Sequence, residues 1–160
     1  LIITGYFTRP LLIDYDFKKQ TIEKKIKNSL SLDAKIKGKI SYNFLPSPRL
    51  RVEKVNLNFG NSTKPFFVEN AYILLSPLKI ESFKNFKFKK FFIVNEKIKI
   101  YPENFKNYFK YFTLKRENTF EIERSSIFFL DDQQNRVLFE NLNLKLDAGF
   151  LNFCSNFDLH

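Results

Sequence analysis

The chain has 160 residues, the size of one ordinary domain, with 44% apolar and 28% charged side chains. That balance excludes a disordered polar chain, because enough apolar surface is present to offset chain entropy. The net charge is +10, from 21 Lys and 6 Arg against 17 acids. Base readout leans on Arg forks, so the Lys excess argues against specific nucleic-acid binding, and no nucleic-acid partner is expected.

The aromatic content is 21 Phe and 7 Tyr, with no Trp and no Met. Such a count suits a thick core or a surface that meets something greasy. AT-rich codon usage would raise Phe, Lys, Asn and Ile together and explains the same numbers. Leu1 to Leu12 are apolar but broken by Gly5, Arg9 and Pro10. They are too short to span a bilayer, which takes roughly 20 residues. Residues 1–13 are therefore either the end of a membrane anchor or a first strand. Residues 14–160 are expected to form one β-rich domain, a fragment of a longer chain, since the sequence starts at Leu1 rather than Met.

Asp16 to Leu30 has the pattern of a helix, with Asp16 as N-cap and Phe17, Ile22, Ile26 and Leu30 near one face. Lys18, Lys19, Lys24, Lys25 and Lys27 occupy much of the rest. That basic surface is either a solvated face or one that lies near anionic headgroups. The period then changes to two. Ile36, Gly38, Ile40, Tyr42 and Phe44 alternate with polar residues, predicting one half-buried strand that Pro46 and Pro48 end. Further strands are predicted over Leu50–Phe59, Phe66–Leu75 and Phe86–Tyr101, the last broken near Asn95 and Glu96. Glu103–Phe112 reads as a short helix whose Phe105, Tyr108, Phe109 and Phe112 stripe is expected to be core. Phe120–Leu130 and Arg136–Leu146 flank a turn and read as a hairpin. Short links between strands argue for an antiparallel meander, and no β-α-β rhythm is evident.

Three strands share a phase slip. In Val52-Glu53-Lys54-Val55, Val68-Glu69-Asn70-Ala71 and Phe139-Glu140-Asn141-Leu142, an apolar residue precedes the next by three positions rather than two. A pure strand cannot keep both on one face. A bulge or kink is predicted at each Glu-Lys or Glu-Asn pair. Bulges of this kind bend a sheet, and a bent sheet can form a trough.

Chemistry-bearing clusters are scarce. His160 is the single histidine and Cys154 the single cysteine, so neither a zinc spacing nor a nucleophile–base pair is evident. The four glycines are scattered, so there is no phosphate-cradling loop. Asp131 and Asp132 sit in the predicted turn, and Glu121 and Glu123 share the solvated side of a strand. A non-enzymatic role without cofactor or metal is expected.

The stretch from Gly38 to Leu57 (Gly-Lys-Ile-Ser-Tyr-Asn-Phe-Leu-Pro-Ser-Pro-Arg-Leu-Arg-Val-Glu-Lys-Val-Asn-Leu) resembles the N-terminal part of the AsmA family of bacterial envelope proteins. There a Gly-led strand reaches a Pro-x-Pro turn, then Leu-x-Val, then another strand. Leu75-Ser76-Pro77-Leu78 and the hairpin through Asn141-Leu142-Asn143-Leu144 are also similar. The resemblance implies a periplasmic protein, held to the inner membrane by a helix upstream of Leu1 and linked to phospholipid transport and outer-membrane biogenesis. It carries over no catalytic residues.

The expected fold is therefore α+β, mainly β: a curved antiparallel sheet of the bridge-like lipid-transfer groove type with an N-terminal amphipathic helix. Candidate groove residues are Ile36, Ile40, Tyr42, Val55, Leu57, Phe59, Ile73, Leu142 and Leu144. Their partners would be phospholipid acyl chains, with anionic headgroups of a membrane near the basic helix. The same face could instead pack wholly on that helix. A scaffold that docks envelope assembly partners through strand edges is the alternative function.

Overall fold

A computed structural model describes residues 13–62, 64–76, 87–114, 117–131, 134–147 and 150–152. A 3-10 turn at Asp16–Lys18 leads into helix α1, Lys19–Leu30. Strands β1 (Asp33–Ile36), β2 (Ile40–Asn43), β3 (Arg49–Asn58) and β4 (Phe66–Leu75) follow. After β5 (Phe88–Val94) and β6 (Lys97–Ile100) comes helix α2, Phe105–Phe112. Strands β7 (Thr119–Asp131), β8 (Gln134–Asp147) and β9 (Phe150–Asn152) complete the described chain. The α+β, mainly β class holds.

The nine strands among the described residues join one sheet in the order β1-β3-β4-β5-β7-β8-β9, with β2 on β3 and β6 on β7. The expected antiparallel meander is corrected at its centre. Both β5 and β6 run parallel to β7, so the sheet is mixed. The cause is α2, which carries the chain from β6 back to the start of β7 and makes a β-α-β crossover. The alternating pattern of a strand does not encode its direction, so the short helix was the informative signal.

Helix α1 buries Ile22, Ile26 and Leu30 in a single core with the inward residues of β1 to β8. Each such side chain contributes roughly 1.5–3 kcal/mol on leaving water. Phe17, expected on the same face, is 88% exposed. It lies in the 3-10 turn, whose tighter winding rotates it out of the helical phase. Asp16 makes no side-chain cap. Its carboxylate instead accepts the Ile40 N–H at 3.3 Å and pairs with Lys19 at 3.2 Å. Among the described residues no helix is long and apolar enough to cross a membrane. Residues 1–12, the segment 77–86, the Asp132 turn position, Cys154 and His160 lie outside the described residues.

The strand expected over Ile36 to Phe44 is broken in two. Ile36 pairs with Val55 and Ile40 with Val52, so three residues, Lys37 to Lys39, face only Glu53 and Lys54. This is a bulge, and Gly38 makes it possible: a Cβ there would lie 2.5 Å from the Glu53 carbonyl oxygen. Lys54 has φ +52°.

The three predicted phase slips are present and belong to one transverse seam. In β4, Val68 and Ala71 are both buried, with Glu69 and Asn70 between them facing out. Val52 pairs with Ala71 and Val55 with Val68, so β3 and β4 slip together and keep register. The seam continues through Asn95 (φ +56°), Arg124 (φ +47°) and Asn141 (φ +51°). Between β7 and β8 the register shifts on both sides of Ser125.

Side chains meet the backbone groups that the seam leaves unpaired. The Glu96 carboxylate accepts the Asn70 N–H at 2.8 Å and the Glu69 N–H at 3.3 Å. The Ser125 hydroxyl accepts the Glu96 N–H at 3.1 Å, and the Asn143 side-chain oxygen Oδ1 accepts the Arg124 N–H at 2.9 Å. At Glu69-Asn70 a side chain thus takes the place of the ladder, whereas at Glu53-Lys54 the backbone of the bulge at residues 37–39 supplies the partners.

The outward face of the sheet is polar. Lys90 lies between Glu121 and Glu123, 3.0 Å from the latter, and over the Phe92 ring. Burial alone would lower the Lys90 pKa, but hydrogen bonds and charge from the two carboxylates outweigh it and hold it above the ordinary value. Glu121 and Glu123 therefore do share the outer side of β7, engaged in this triad rather than free in solvent.

Candidate functional site

The site forms where α2 crosses the inward face of β6, β7 and β8. Pro102 opens a 3-10 turn at Pro102–Asn104 that feeds α2. Asn104 is buried and its side-chain amide donates to the Lys64 carbonyl at 2.8 Å. The Lys64 ammonium pairs with Glu103 at 2.9 Å and sits over the Tyr101 ring. At the other end of α2, the Tyr111 hydroxyl donates to the Leu30 carbonyl at 3.0 Å. The Glu117 N–H donates to the Ser29 carbonyl at 3.1 Å. The helix is thereby fixed to the turn before β4 and to the end of α1.

Those anchors decide which side of α2 is buried. Two aromatic faces lie next to each other on this helix: Phe105, Phe109 and Phe112 on one, Asn104, Tyr108 and Tyr111 on the other. Tyr108 and Tyr111 are the buried pair. Phe105 is 55% exposed and Phe109 is 67% exposed. The expectation that the Phe stripe is core is corrected on this point. The Tyr face has a hydroxyl with a buried carbonyl to reach, and the Phe face does not.

Beneath the helix an aromatic cluster forms a floor. Phe59 meets Phe66, Tyr108, Tyr111 and Phe120 edge-on, at centroid distances of 5.3, 5.3, 4.7 and 6.3 Å. Phe91 stacks on Phe120 at 5.9 Å. Each such pair adds about 0.5–1.5 kcal/mol beyond its area burial.

Beside this floor is a cavity of about 240 Å³. Helix α2 contributes Phe105, Tyr108, Phe109 and Phe112 to its wall. The sheet contributes Ile100, Phe120, Ile122, Ile127, Phe139, Leu142 and Leu144, and the β3–β4 turn region contributes Phe59 and Phe66. No charged side chain lines it, and its rim is formed by the exposed Phe105 and Phe109. An apolar cavity of about 150 Å³ stays dry and admits benzene. This larger one suits an alkyl or aryl segment held by burial and dispersion alone.

The nine candidate groove residues divide between two places. Phe59, Leu142 and Leu144 line the cavity. Ile36, Ile40, Tyr42, Val55, Leu57 and Ile73 lie in the packed core with Ile22, Ile26 and Leu30. There Tyr15 stacks on Tyr42 at 6.4 Å. Burial raises both phenol pKa values, and that of Tyr15 is raised further by the charge of Tyr42. Phe105, Phe109 and Phe112 are the site residues that sequence reasoning assigned to the core. The available signal was the pair of aromatic faces on one short helix, only one of which can meet a sheet.

Among the described residues no group of three or more His, Cys, Asp or Glu is placed to hold a metal ion. No family model, curated protein or solved structure matches the chain.

Proposed function

We propose that this chain is a non-enzymatic, lipid-handling envelope module whose cavity between α2 and β6–β8 receives part of an acyl chain. The observation that carries this reading is the cavity itself: about 240 Å³, walled by apolar and aromatic side chains, with two exposed phenyl rings at its mouth. Exposing an acyl chain of roughly 16 carbons to water costs on the order of 12 kcal/mol at about 0.8 kcal/mol per methylene. A site that covers even a few methylenes lowers that cost without any chemistry. The resemblance of Gly38 to Leu57 to the AsmA family supports a periplasmic setting and a part in phospholipid transport between membranes. On this reading an anchor helix precedes Leu1 in the inner membrane, and the sheet is the start of a longer apolar groove.

The test is a titration of delipidated protein with a fluorescent fatty acid. Saturable binding at one site is expected. Leu142→Trp fills the cavity from a half-buried position and should weaken binding at least tenfold with the circular dichroism spectrum unchanged. The exposed control Lys24→Ala should bind as the parent does. Equal binding by Leu142→Trp and parent would remove the cavity from the proposal.

A further inference from the structure

Large apolar side chains exposed singly are ordinary, but clustered ones call for a partner. Phe105, Phe109 and Leu114 are exposed within one short stretch on and just beyond α2. Lys106 and Lys110, also exposed, stand next to the two phenyl rings on the solvent side of the helix. No acid lies on α2. The neighbouring Glu103 is engaged by Lys64 at 2.9 Å, and that ammonium holds its carboxyl below the usual range. The edge of α2 is thus an apolar strip bordered by positive charge with no acid on the helix to offset it. Helix α1 differs: no apolar residue of the helix itself stands beside the exposed Lys24 and Asn28, and the exposed ring of Phe17 stands singly in the 3-10 turn before it. It can attract an anionic surface but offers a single ring at its start rather than a strip.

We infer that α2 docks on an anionic lipid bilayer, with Phe105 and Phe109 entering the boundary between headgroups and acyl chains and Lys106 and Lys110 meeting the headgroups. Apolar residues on one side and lysines beside them are the features by which a helix lies in a membrane interface. The inference rests on the acyl-chain proposal, because the same two rings form the cavity rim. Docking there would turn the cavity mouth toward the membrane.

The chain has no Trp, so Phe109→Trp supplies a single fluorescent reporter. The protein is titrated with phosphatidylcholine vesicles made with and without phosphatidylglycerol. The emission should shift to the blue on the anionic vesicles and stay unshifted on the neutral ones. A lysine near such a surface is worth about fivefold in affinity, so adding Lys106→Gln and Lys110→Gln should weaken binding about 25-fold. The charge-matched pair Lys24→Gln and Lys25→Gln should change it less than about threefold. Equal losses from the two pairs would mean diffuse attraction by the net charge and would overturn the inference, as would the absence of a shift. Fatty-acid binding without vesicles should be unaffected by Lys106→Gln and Lys110→Gln. Retained fatty-acid binding with no docking removes the membrane inference and leaves the cavity; docking without fatty-acid binding does the reverse.

Discussion

Replacing Glu96 with alanine removes the acceptor that stands in for a strand at the seam. In the parent the carboxylate takes the Asn70 N–H at 2.8 Å, the Glu69 N–H at 3.3 Å and the Asn70 side-chain amide at 3.3 Å. A hydrogen bond to a charged group contributes about 1.5–3 kcal/mol, and the two longer contacts add little. The site is half-buried, so water replaces part of what is lost. The expected destabilisation is about 2 kcal/mol. For a domain of this size that lowers Tm by roughly 4–8 °C. Glu96→Gln keeps one acceptor oxygen for the Asn70 N–H and should cost about 1 kcal/mol. Urea unfolding followed by circular dichroism measures both, with an unchanged m-value because the exposed surface is the same. Amide exchange at Glu69 and Asn70 should quicken in the alanine variant before the rest of β4. A loss under about 0.5 kcal/mol for alanine, or equal losses for the two variants, would refute the role given to this carboxylate.

Gly38→Ala pushes a Cβ into the Glu53 backbone, 2.5 Å from its oxygen and 2.7 Å from its carbonyl carbon. Overpacking against main chain should cost about 1–3 kcal/mol by the same unfolding assay, and a neutral result would dismiss the close approach at the bulge. The Tyr42 hydroxyl is buried without a hydrogen-bond partner among the described residues, so Tyr42→Phe should raise stability by up to about 1 kcal/mol. Burial raises the phenol pKa of Tyr15, Tyr42 and Tyr108 above the ordinary value of 10.0. Above that pH the unfolded chain loses these protons while the folded chain keeps them. Stability is therefore full below pH 10 and falls as pH rises through the folded values. Phenolate absorbance should appear in two waves, the second coincident with loss of circular dichroism. A single wave near pH 10 in a still-folded protein would contradict the burial of these rings.

Much of the sheet was legible because its inward face alternates cleanly. The bounds of β4 agree with the prediction, and the break at Asn95 and Glu96 falls between β5 and β6. The phase slips were legible too, since Val52 and Val55, or Val68 and Ala71, cannot share a face without an extra outward residue. What they build was not. That Glu69 lies beside Glu96, and Ser125 beside Leu142, depends on strand order, which a local pattern does not contain. The parallel pairing of β5 with β7 was hidden for the same reason. The cavity was legible in small part: of the nine groove candidates, read from the alternating strands together with the family resemblance, Phe59, Leu142 and Leu144 line it. Phe105 and Phe109 were assigned to the core because the helix offers two aromatic faces, and the choice turns on a hydroxyl reaching the Leu30 carbonyl 81 positions away in sequence.

Site-specific photo-crosslinking in bacterial cells tests the central claim most directly. A photoreactive phenylalanine analogue at Phe109, on the cavity rim, should capture acyl lipid that mass spectrometry identifies on the isolated protein. The same analogue at Tyr42, inside the packed core, should capture none. Lipid at Tyr42 and none at Phe109 would contradict the account, and so would protein neighbours alone at Phe109.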